Sequence, residues 1–189
     1  EVVELICMNH VLEHVLDPAK MIVDIRAKLG NGGMLGGAGG EAGAVQEPKA
    51  TDGFVDSVDG WTITGDAQAG SFAPVHSGVG GNPDGLISAI DDVAGGVWYF
   101  TAPAKYLGDN AAFYGKTLKF DLQVTAIVTP FASPDVELTG GAITLYFDCS
   151  PDPGTSWTSY VVPLTEAGWT TTAAEPATLE QFQQVLSNS

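Results

Sequence analysis

Three groups of residues have the types and spacing that chemistry could use. His10-Val11-Leu12-Glu13-His14 places two histidines one helical turn apart around a glutamate. Inside a long helix, that pattern binds zinc and lets the glutamate activate a water. Here an apolar run precedes it and Asp17-Pro18 opens a new helix after it, so the long helix is missing and zinc is not expected. His76 stands in a glycine-rich loop with no cysteine beside it, which leaves no acid-base-nucleophile triad to assemble. Asp148 and Asp152 could serve as a carboxylate pair for glycoside hydrolysis, but nothing in the spacing sets them about 5 or 9 Å apart across a cleft. Catalysis is not expected from this chain.

Binding chemistry is better represented. Asp56, Asp59, Asp91, Asp92, Asp109, Asp148 and Asp152 are hard oxygen donors in turn-rich sequence. A calcium ion takes six to eight such oxygens from loops and backbone carbonyls. None of the aspartates has EF-hand spacing. A structural calcium near Asp56 and Asp59 is the one metal candidate, and no other cofactor is required. Among the aromatics, Trp98 and Phe100 share one parity of a strand and Tyr99 the other, so an inward Trp98 and Phe100 leave Tyr99 outward. Trp157 and Tyr160 lie among turn residues. Tyr99, Trp157 and Tyr160 are therefore the candidate ligand contacts, with flat faces suited to sugar rings, while Trp61 and Trp169 read as core.

The charge balance narrows the partners. The 189 residues carry a net charge of −16, divided as −3 over residues 1–51 and −13 over residues 52–189. Such a field repels nucleic acid and anionic lipid before any contact forms. No run of about 18 apolar residues is present, so membrane insertion is not expected. Cys7 and Cys149 are the only cysteines and fall in different parts of the chain, which gives no disulfide framework.

The elements that must position these residues divide the chain in two. Val2, Val3, Leu5, Ile6, Cys7 and Met8 form a short apolar run of the kind a buried parallel strand uses. Asp17-Pro18 supplies an N-cap and a first-turn proline, and Met21, Ile22, Ile25 and Leu29 recur at helical spacing before Gly30-Asn31-Gly32-Gly33 ends the element. Met34 and Leu35 can begin a second strand. Residues 1–36 are thus read as a strand-helix-strand fragment, and residues 37–51 as a flexible glycine-rich linker. Leu5 to His14, Asp17-Pro18 and Lys28 to Met34 together resemble part of the class I S-adenosylmethionine-dependent methyltransferases. The resemblance implies the second half of that family's sheet. It does not include the glycine-rich turn that holds the cofactor, so no methyl transfer is expected. A truncated methyltransferase joined to the following module is the alternative reading of the whole chain.

From residue 52 onward, short apolar runs alternate with turn clusters, as in sandwiches and barrels. Strands are predicted over 60–64, 85–91, 97–101, 116–124, 135–147, 158–162 and 168–171, and a short helix over 179–186. Leu118, Phe120 and Leu122 alternate with Lys119, Asp121 and Gln123, the period of a half-buried antiparallel strand.

The landmarks Asp59-Gly60-Trp61, Trp98-Tyr99-Phe100, Ala102-Pro103, Tyr106-Leu107-Gly108-Asp109, Leu118 to Leu122, Val162-Pro163-Leu164, Trp169 and Phe182 with Val185-Leu186 resemble the laminin B module, also called laminin IV type A. The resemblance implies a mostly β, jelly-roll-like antiparallel β-sandwich over residues 52–189, with the N-terminal β-α-β fragment and the short C-terminal helix appended. It implies an extracellular or cell-surface location, a non-catalytic adhesion, binding or structural role, and a glycan or matrix protein as partner. Family members usually continue past the helix into further strands, so a sandwich truncated at that end is expected.

Overall fold

A computed structural model of the chain describes residues 4–7, 20–24, 51–65, 73–90, 97–125 and 133–187. Eleven strands are described: β1 (Glu4–Cys7), β2 (Lys20–Asp24), β3 (Thr62–Gly65), β4 (Val75–Ser77), β5 (Leu86–Ile90), β6 (Trp98–Thr101), β7 (Thr117–Val124), β8 (Val136–Gly140), β9 (Ile143–Phe147), β10 (Thr158–Pro163) and β11 (Trp169–Thr171). One helix, α1 (Leu179–Ser187), follows. The strands form a six-stranded sheet in the order β11-β9-β8-β1-β6-β3 and a five-stranded sheet in the order β10-β7-β2-β5-β4. The pairings are antiparallel, and the fold is the expected antiparallel β-sandwich.

Alternation of side chains decides which face of each strand is buried. In β8, Val136, Leu138 and Gly140 are buried while Glu137 and Thr139 are half-exposed. Leu118, Phe120, Leu122 and Val124 of β7 face inward. Buried side chains of both sheets form one core with Phe54, Trp61, Trp98, Phe100, Trp169 and Phe182 at its centre. The predicted strand over 135–147 is a hairpin, β8 and β9, turned at Gly141 with φ +62°. That conformation favours glycine. Strand β4 is too short to show a period in the sequence.

Two expectations for the N-terminal segment meet the described residues. The apolar run does form a strand, but β1 is antiparallel to both β6 and β8 rather than parallel. The predicted helix is corrected: Met21 and Ile22 lie in strand β2, between β5 and β7. Ile22 and Val23 are β-branched and favour strands locally. Two flanking ladders supply hydrogen bonds to a central strand, which outweighs the weak helical spacing. The His10–His14 motif, the expected strand at Met34-Leu35 and residues 37–50 of the linker lie outside the described residues.

Helix α1 is fixed at both ends. Thr178 and Gln181 form a capping box, with Gln181 N–H donating to Thr178 Oγ1 at 3.2 Å and Thr178 N–H to Gln181 Oε1 at 2.9 Å. Near its C-terminus, Leu186 O accepts from Asn110 N–H at 2.7 Å. Phe182, Val185 and Leu186 are its buried residues. The helix comes so close to β8 that a Cβ on Gly140 would stand 2.5 Å from Val185 O and 2.7 Å from Val185 Cα. Gly140→Val is accordingly expected to push α1 off the sheet and to lower stability by roughly 1–3 kcal/mol in denaturant melts, as overpacking does. Ala142→Ser, at an exposed position of the same turn, is the matched control and should stay within about 0.5 kcal/mol of the parent.

Candidate functional site

Residues 51–61 enter the sandwich through a turn in which Ser57 and Asp59 are joined. Ser57 Oγ donates to Asp59 Oδ1 at 2.7 Å and accepts from Asp59 N–H at 3.0 Å. Asp59 and Gly60 both have positive φ, +52° and +86°. The turn delivers Trp61 into the core, where its indole N–H donates to Asp52 Oδ2 at 2.8 Å. Asp56 is exposed. No group of three or more His, Cys, Asp or Glu side chains able to hold a metal occurs among the described residues. Asp59 thus acts here as a turn residue. Asp109 behaves likewise, its Oδ1 accepting from Ala111 N–H at 2.9 Å.

Asp52, at the very start of the module, is a structural centre that the sequence did not reveal. It is only 3% exposed. It accepts from Trp61 and, at 2.7 Å, from the Tyr106 hydroxyl, and it is ion-paired with Lys105. One carboxylate thereby satisfies two buried donors and ties the entry turn to the 3₁₀ turn Ala104–Tyr106. Removing it leaves both donors unmet in the core. Asp52→Ala is expected to cost about 2–4 kcal/mol of unfolding free energy, measured by chemical denaturation. Lys105→Met should cost less, because the Asp52 carboxylate keeps its hydrogen bonds from Trp61 and Tyr106 and loses only a cation whose own side chain is 39% exposed.

The three predicted ligand contacts fare differently. Tyr160 is a core residue: it is 5% exposed, stacks on Phe120 at 5.3 Å, and donates its hydroxyl to Pro151 O at 2.7 Å. Its parity in β10 is that of Val162, which is fully buried, so it cannot face a ligand. Trp157 is half-buried and donates its indole N–H to Gly80 O at 3.3 Å, which joins two loops. Tyr99 lies on the outward side of β6, opposite in parity to Trp98 and Phe100.

On the outer face of the six-stranded sheet, Tyr99 and Thr101 of β6 lie on one side of β1, and Glu137 and Thr139 of β8 with Thr144 and Tyr146 of β9 lie on the other. Glu137 of β8 stands opposite Tyr146 of β9, and Tyr146 opposite Thr170 of β11. Thr139 and Thr144 are joined at 2.9 Å, and Thr64 and Thr101 at 3.2 Å. Partial burial, with Glu137 as the next contributor, pushes the Tyr99 hydroxyl up to about 12, and the same two causes raise Tyr146. Tyr99, Glu137 and Tyr146 therefore share one acidic, aromatic surface. Trp157 and Tyr160 border or belong to the other sheet and are not part of it. Strand alternation in β8 and β9 could have located Glu137 and Tyr146, but only sheet order brings them near Tyr99.

Asp135, just before β8, is the second buried carboxyl, 5% exposed. Its Oδ2 accepts from Cys149 N–H at 2.6 Å. Asp148 and Asp152, in the connection between β9 and β10, lie close enough to repel it. Burial chiefly, and then these two carboxylates, push Asp135 up to about 7 against the favourable Cys149 N–H. The folded protein therefore keeps a proton that the unfolded chain loses near pH 4. Stability falls as pH rises from about 4 through about 7 and levels off above. Asp135→Asn supplies an acceptor for Cys149 N–H and an amide facing the carboxylates without the charge. Its advantage over the parent is expected to grow by on the order of 2 kcal/mol between pH 5 and pH 8, as read from urea melts at the two pH values. His76, the module's only histidine, has its Nε2 2.8 Å from Phe54 O, in a structural contact between β4 and the entry segment.

Comparison with known proteins finds a family to which part of the chain is similar. Residues 99–188 match the family model described as Laminin B (Domain IV), a stretch that runs from β6 through α1 and supports the laminin B resemblance. Over 93 residues, 48% of this chain, the sequence is 31% identical to the basement membrane-specific heparan sulfate proteoglycan core protein of Mus musculus. The match spans 2% of that protein's length. No solved structure matches the chain significantly. The family match lies wholly downstream of residues 1–36.

Proposed function

We propose that residues 52–189 form a laminin B module acting without catalysis as an extracellular-matrix structural and binding unit. The observation that carries this reading is the family match over the continuous stretch 99–188, which covers strands of both sheets and α1. The arrangement of polar groups supports it. Buried Asp52, Asp135 and half-buried His76 are each engaged in structural contacts. Tyr99, Glu137 and Tyr146 form a partly exposed polar face. No helix among the described residues is long and apolar enough to cross a membrane.

A matrix protein is the partner class we assign to this face. The chain's charge of −16 opposes sulfated polysaccharide and favours a basic protein surface. Tyrosines flanking a carboxylate offer such a surface both an ion pair and ring faces for its lysines and arginines. The test is a binding screen of the full chain against basement-membrane proteins, with neutral and sulfated glycans as separate arms. Saturable protein binding that weakens with salt is expected, reduced about tenfold, or roughly 1.4 kcal/mol, by Glu137→Lys and Tyr146→Ala without a change in melting temperature. Binding to neutral glycan alone would move the assignment to sugar, and binding to nothing by the folded chain would leave a spacer.

A further inference from the structure

We infer that the sandwich of residues 51–187 is a strand acceptor with one slot in each sheet, and that the segment carrying β1 and β2 is a single donor filling both. Neither slot is at an edge. Strand β1 separates β6 from β8, with Ile6 opposite Thr101 on one side and Glu137 on the other. Strand β2 separates β5 from β7, with Val23 opposite Ile87 and Leu122. The strands flanking the slots carry fully buried Phe100, Val136, Ile87 and Leu122. An empty slot would leave two rows of backbone N–H and C=O groups unpaired beside those residues, where an unmet group is expensive.

The donor's sequence suits the slots. Leu5-Ile6-Cys7 and Met21-Ile22-Val23 are uninterrupted apolar runs, the composition of strands placed centrally in a sheet. Residues 8–19 link the two runs. Twelve residues reach up to about 40 Å when extended, against a sheet separation of about 10 Å, so one segment can serve both layers. Residues 25–50, which include Gly36-Gly37-Ala38-Gly39-Gly40, join donor to acceptor with few large apolar side chains. Recognition in each slot is through main-chain hydrogen bonds on both sides of an extended apolar segment, the chemistry of strand addition. This holds whether or not the module binds matrix proteins.

The test uses the full chain with a protease site introduced between Gly37 and Gly39. After cleavage the two fragments are expected to co-elute, with the emission of buried Trp61, Trp98 and Trp169 unchanged. Excess labelled peptide of residues 1–24 should then exchange into the complex. The same peptide carrying Ile6→Pro and Ile22→Pro should exchange about tenfold less, because proline removes a ladder donor. Dissociation together with loss of the buried-tryptophan emission would also support the proposal, by showing that the sandwich needs its donor. Dissociation with unchanged emission, or equal exchange of the proline peptide, would overturn it.

Discussion

The two sheets hold together because each has one apolar face that must be removed from water, and large aromatic rings fill the space between them. Trp98 packs edge-on against Phe100 at 5.2 Å, Trp169 against Phe182 at 5.4 Å, and Phe120 stacks on Tyr160 at 5.3 Å. Rings bring area, but tryptophan and tyrosine also bring donors that need partners. Trp169 donates to Pro163 O at 2.8 Å, and Tyr160 to Pro151 O. Trp61 and Tyr106 have a buried carboxylate, Asp52, as their shared acceptor. The polar centre at the module's start thus follows from the choice of aromatic core. Trp98 Nε1 and Ser88 Oγ have no hydrogen-bond partner among the described residues.

A chain this acidic must keep most of its carboxylates in water, and the few it buries are handled in distinct ways. Asp52 is paired with a cation whose stem lies at the surface. Asp121 accepts from the Ser159 hydroxyl across the β7–β10 pair. Burial, with Asp148 and Asp152 nearby, raises Asp135 to about 7, so that a proton removes its charge below that pH. The carboxylates left outside give the sandwich a negative surface, and Glu137 sets that sign on the tyrosine-lined face. Core packing and partner selection are therefore linked through where each carboxylate is placed.

Much of the sandwich was legible along the chain. The alternation of short apolar runs with turn clusters and the period of two in 118–124 placed seven spans that hold eight of the strands, and the run over 179–186 placed the helix, within a few residues, because those signals are local. The failures are also instructive. Met21 and Ile22 fit a helix by spacing, yet they lie in β2, whose hydrogen bonds come from β5 and β7, sixty and a hundred residues away in round terms. Tyr160 sat among turn residues and was read as a surface ring, but its side chain shares the inward parity of Val162. Asp59, one of the aspartates that offered hard oxygen donors, is engaged with Ser57 in the turn before Trp61.

By itself, the sequence determined the fold class, the spans of most strands beyond residue 52, the inward parity of Trp98 and Phe100, and the negative field, since each depends on residues close together in the chain or on composition alone. Only the tertiary structure decided which strands became neighbours. That choice gave Asp52 its three partners, set Asp135 beside Asp148 and Asp152, joined Glu137 and Tyr146 to Tyr99, and drew the N-terminal strands into both sheets. Each of these rests on contact between distant segments, whose energy comes from burial and shared hydrogen bonds that no local spacing encodes.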